Sequence, residues 1–158
     1  ATLTSKKIYD SFLGEFNEHR HFFHGHTFTG NPIAAEVANE NLRLYQKNNL
    51  INKIQKTSKI FERYYNEILN LDIVGDVRHK GMLMGIELVK DKKKKNPIIT
   101  KISINKIVFE AGKKNGIYLR TLGNIIMLVP PLAISEKELD LLLSRTIDTI
   151  KLVQKTVL

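Results

Sequence analysis

The chain is 158 residues long, 42% of them hydrophobic, with a formal net charge of +9. That length corresponds to about one domain able to bury a sizeable core, and the apolar fraction argues against disorder. There is no cysteine, which excludes disulfides, thiolate chemistry and cysteine-based metal sites. No apolar run approaches membrane-spanning length, so a cytoplasmic location with no membrane partner is expected.

Thr4 or Ser5 caps a first helix, expected over about 4–14, with Ile8, Phe12 and Leu13 on its apolar face. Glu15 to His21 reads as a polar loop. His19, His21, His24 and His26 alternate, with only Glu15 and Glu18 nearby. That spacing matches no common zinc pattern, and no metal site is expected. His24-Gly25-His26-Thr27-Phe28-Thr29-Gly30-Asn31-Pro32 is a loop that ends in a helix. Asn31 suits the N-cap, and Pro32 suits the first helical position, where its missing N–H is not needed. Backbone N–H groups, the Thr27 hydroxyl and the positive helix end suit an anion, most naturally a phosphate; an ordinary capped helix accounts for the same residues.

From Pro32 to about Gln46, Ile33, Ala34, Val37, Ala38, Leu42 and Tyr45 recur at helical spacing. A second helix over about 51–69 carries Ile54, Ile60, Phe61, Tyr64, Tyr65 and Ile68. Ile73–Arg78 and Met82–Val89 read as strands turning at His79-Lys80-Gly81, with Glu87 facing out. The lysines of 90–95 precede Asn96-Pro97 and read as a solvated loop, not a binding stripe. No nucleic-acid partner is therefore expected, although a basic nucleic-acid-binding α+β module is the alternative reading of the net charge.

Ile102–Lys114 is a helix ended by Asn115-Gly116. Ile117–Arg120 and Ile125–Val129 pair around residues 121–124, and Pro130-Pro131 stops the sheet. Ser135 and Glu138 form a capping box for a final helix running to about Val153. The expected fold class is α/β, with a β-β-α-β-β-α two-layer α+β sandwich, antiparallel or mixed, preceded by helices.

Three segments carry a resemblance: Phe23 to Pro32; Gly75-Asp76-Val77-Arg78 with Gly81 to Val89; and Gly116 to Leu132. In this order they resemble the C-terminal half of a class III aminotransferase, a fold type I pyridoxal-phosphate-dependent transferase. Many class III relatives have an arginine three residues before the Pro-Pro pair, where this chain has Met127. Arg120, followed by Leu122-Gly123-Asn124, is instead similar to the biotin-pathway members, in which an arginine holds the carboxylate of 8-amino-7-oxononanoate. Thr121 stands where those members have proline.

The resemblance implies that Gly25, His26 and Thr27 bind the phosphate of pyridoxal 5'-phosphate in the neighbouring active site of a homodimer. It implies that Arg120 binds the substrate carboxylate and that the amino donor is S-adenosylmethionine or lysine. The family's Schiff-base lysine lies upstream of the segment resembling Ala1-Thr2-Leu3, so no catalytic residue is assigned and the chain alone is expected to be inactive. Residues 1–31 are then the tail of the cofactor-binding large domain, 32–69 a connecting helical region and 70–158 the C-terminal small domain.

Overall fold

Ser5 opens the first helix, α1 (Lys6–Asp10), its hydroxyl accepting the Ile8 N–H at 3.4 Å. α1 is shorter than the expected 4–14 because the backbone tightens at its end. The Ser11 hydroxyl donates to the Ile8 carbonyl at 2.6 Å, and the Phe12 and Leu13 N–H groups reach back three residues to Tyr9 and Asp10. The computed structural model describes residues 2–158 and divides into two units after Arg43. In the first, a short 3-10 turn (Phe16–Glu18) leads to the loop before α2 (Pro32–Lys47), which starts on Pro32 as expected. Phe12, Phe22, Phe23 and Phe28 are all exposed.

The second unit starts at Leu44, within α2, and continues with α3 (Leu50–Thr57) and α4 (Lys59–Leu69), in place of the single helix expected over 51–69. The interruption is at Ser58, whose hydroxyl donates to the Gln55 carbonyl at 3.1 Å. Phe61 N–H then closes a three-residue turn back to Ser58 at 3.1 Å. There follow β1 (Val74–Lys80), β2 (Leu83–Asp91), β3 (Asn96–Pro97), α5 (Ile104–Lys114), β4 (Arg120–Leu122), β5 (Ile125–Leu128) and α6 (Glu136–Val157). The sheet has order β1-β2-β5-β4 with β3 paired to β2, and every pairing is antiparallel.

Both hairpin turns are tighter than the sequence spacing predicts. His79 and Lys80 belong to β1, and only Gly81 and Met82 connect Lys80 to its partner Leu83. The second turn is Gly123-Asn124, since Leu122 pairs with Ile125 and the expected strand at 117–120 is displaced to 120–122. Gly81 and Gly123 both have positive φ, at 56° and 59°, a conformation in which a side chain is strained. Asn124 secures its turn by donating from Nδ2 to the Leu88 carbonyl at 2.6 Å and accepting the Leu88 N–H at 2.9 Å.

Alternation along the strands sorts residues onto two faces. Met84, Ile86 and Leu88 of β2 and Ile126 and Leu128 of β5 are buried, packed with Phe61, Val108, Leu139, Leu143, Ile147 and Ile150 from the helices. Each such side chain contributes about 1.5–3 kcal/mol through removal from water. The helices cover that one face, as expected of a two-layer α+β unit. Ser135 and Glu138 close the capping box that starts α6, with Glu138 N–H donating to Ser135 Oγ at 3.2 Å.

Candidate functional site

The loop before α2 is built from short-range bonds. His26 N–H donates to Thr29 Oγ1 at 3.1 Å, and Thr29 N–H returns to the His26 carbonyl at 2.9 Å. Asn31 Oδ1 accepts the Ala34 N–H at 3.0 Å, and Pro32 has none to offer. The cap thus takes up much of the donor capacity expected at the start of α2. Within this turn the Thr27 hydroxyl and backbone N–H have no hydrogen-bond partner among the described residues, and a Cβ at Gly25 would meet nothing within 4 Å. Gly25, His26 and Thr27 are exposed together, and the His24 and His26 rings lie edge to face at 5.1 Å. Among the described residues, no group of three His, Cys, Asp or Glu is placed to hold a metal.

Arg120 belongs to the other unit, at the start of β4. In register it lies opposite Met127, which lies opposite Gly85, which lies opposite Arg78. This row crosses the sheet on the face away from the helices. At one end Arg78 is held by Asp76 (3.0 Å) and Glu87 (3.6 Å), so Glu87 faces outward as expected but is tied into an ion cluster. At the other end the Arg120 guanidinium is exposed and forms no ion pair among the described residues. It borders a cleft of about 580 Å³ whose walls include Leu122, Met127, Val129, Pro131 and Ile134. A planar cation with its donors uncommitted beside an apolar cleft suits an aliphatic carboxylate, gripped by two parallel hydrogen bonds.

The model of the class III aminotransferase family matches residues 1–150. The chain belongs to the class III aminotransferases. This class III chain is 44% identical over 151 residues to adenosylmethionine-8-amino-7-oxononanoate aminotransferase of Methanocaldococcus jannaschii, covering 96% of the chain and 33% of that protein. It is 46% identical over 138 residues to the enzyme of that name from Staphylococcus aureus, covering 87% of the chain and 30% of the relative. The crystal structure of the Methanocaldococcus jannaschii protein superposes with a TM-score of 0.83 at 42% identity, covering 94% of this chain and 34% of that one. The chain therefore spans about a third of the length of the curated relatives it matches.

The family implies pyridoxal phosphate, and the donor set around Thr27 fits its phosphate: a free hydroxyl, a free backbone N–H and a glycine without steric neighbours. Reading the sequence missed the row through Met127, Gly85 and Arg78. Its one local signal is a glycine at an outward position inside a strand.

Proposed function

We propose that this chain is the C-terminal part of a cytoplasmic, homodimeric aminotransferase that moves an amino group from S-adenosylmethionine or lysine to 8-amino-7-oxononanoate in biotin biosynthesis. The observation that supports the substrate is Arg120, a guanidinium with no ion pair among the described residues that lines the apolar cleft. The acceptor offers the complement, a carboxylate on a flexible aliphatic chain. Arg120 fixes the carboxylate by a bidentate fork, while Met127, Val129 and Ile134 exclude water from the methylenes.

In this reading Gly25 and Thr27 bind the cofactor phosphate in the neighbouring subunit's site. The Thr27 hydroxyl and N–H are the donors, and Gly25 allows the backbone to approach closely. The His26 N–H already bonds Thr29, so His26 contributes through its imidazole. Pyridoxal phosphate, when bound, supplies the electron sink for amino-group transfer. Residues 1–31 then belong to the large domain, 32–69 connect, and 70–158 form the small domain. The test is acceptor-dependent transamination by a full-length enzyme carrying these 158 residues, with each donor offered separately. Turnover of 8-amino-7-oxononanoate with one donor supports the reading, and turnover only of 4-aminobutyrate or ornithine overturns it.

A further inference from the structure

Gly85 sits in the interior of β2, at the centre of the sheet, where glycine is disfavoured because it gives up backbone freedom and packs no side chain. Nothing in its own geometry demands glycine. Its φ is not positive, and a Cβ there would meet Ile125 Cγ2 at 3.5 Å and Met127 Sδ at 3.9 Å, both ordinary contacts. The Met127 thioether nevertheless flanks this position, its Sδ 3.9 Å from where that Cβ would stand. β5 runs between β2 and β4, so a Met127 side chain turned toward Gly85 is turned away from Arg120, its register partner on the other side. Met127 and Arg120 both border the cleft.

We infer that Gly85 is a positioning residue that berths the Met127 side chain on β2 and so keeps the cleft open beside Arg120. The inference rests on the carboxylate reading of Arg120 for its functional meaning and on the Met127–Gly85 contact for its structure. A branched side chain at position 85 occupies the berth from above. Met127 then has to swing toward β4, over the stem of Arg120 and into the space an aliphatic carboxylate needs.

The chain has three methionines. Met82 and Met84 are buried in the core and Met127 is not, so methyl NMR of a full-length enzyme carrying these 158 residues, with these three methyls assigned, resolves the question directly. The expected wild-type result is a cross-relaxation contact between the Met127 ε-methyl and the Gly85 α-protons. Gly85→Val should abolish that contact, shift the Met127 methyl and weaken binding of octanoate, the probe, at least about fivefold. The Met82 and Met84 methyls should stay in place and report an intact core. Gly85→Ala, whose Cβ makes only ordinary contacts, should fold in any case and give a smaller shift in the same direction.

Arg120→Ala should weaken octanoate while leaving the Met127–Gly85 contact intact, which separates the two ideas. If octanoate binds the wild type and Arg120→Ala does not weaken it, the carboxylate reading fails while the berth stands. A Met127 methyl that shows no contact to Gly85, or that stays in place in both Gly85 variants, overturns the inference. So does octanoate affinity in Gly85→Val equal to wild type, whereas a wild type that does not bind octanoate at all overturns the carboxylate reading and leaves the berth to be decided by the Met127 methyl.

Discussion

Arg120 and Met127 stand directly opposite each other across β4 and β5, the first exposed and without an ion pair among the described residues, the second on the side of Gly85. The guanidinium donors are uncommitted among the described residues. In the complete enzyme Arg120→Ala is expected to lower kcat/KM for 8-amino-7-oxononanoate by about 2–5 kcal/mol, much of it from leaving the carboxylate unpaired. Arg120→Lys should recover only part, because an ammonium cannot make the bidentate fork. Steady-state kinetics with each substrate varied checks this, and the donor half-reaction should change much less. Acceptor kinetics within about twofold of wild type, under about 0.5 kcal/mol, would remove Arg120 from the site.

Thr27→Val removes the free hydroxyl without changing the shape of the turn. A hydrogen bond to a charged phosphate is worth about 1.5–3 kcal/mol, and affinity for pyridoxal phosphate should fall accordingly. Equilibrium dialysis of the full-length enzyme reads this independently of turnover. Asn31→Ala is the control for the neighbouring cap: it should lower thermal stability by about 1 kcal/mol and leave the Thr27 contribution in place.

Thr121 occupies the core-facing position next to Arg120. It is only 5% exposed, and its hydroxyl has no hydrogen-bond partner among the described residues. Leaving such a group unsatisfied costs about 1–3 kcal/mol, so the isosteric Thr121→Val should be neutral or stabilising, by up to about that amount. Urea unfolding gives the answer through the midpoint at constant slope. A clear loss of stability would show that the hydroxyl has a partner in solution.

Hydrogen bonds from the Ser135 hydroxyl and backbone N–H hold the Glu138 carboxyl below its ordinary range. A folded-state value below the unfolded one means stabilisation that is fully present above the unfolded value and is lost as pH falls through the folded one. The difference in Tm between wild type and Glu138→Gln should accordingly be widest above the ordinary carboxylate range and close as pH falls below it. Ser135→Ala should retain a difference in acid, because the Ser135 oxygen also accepts the Glu138 N–H whatever the carboxyl's charge. A Glu138→Gln difference that does not vary with pH would show that the carboxylate takes no part in the cap.

Much of this chain is decided by neighbours in sequence, and that part is legible without coordinates. Asn31-Pro32, Ser135 with Glu138, and Asn115-Gly116 mark helix ends because caps are built within four residues, and the apolar spacing of 136–153 marks one buried helix face. Gly25, Thr27 and Arg120 stood out through family motifs, which record chemistry the local backbone does not dictate. The tertiary structure alone decided that β2 lies between β1 and β5, that the turns are two residues long, and that Arg120, Met127, Gly85 and Arg78 fall in one row. Strand order and register depend on hydrogen bonds and side-chain packing between residues tens of positions apart, and a one-residue slip would move every one of those side chains to the other face.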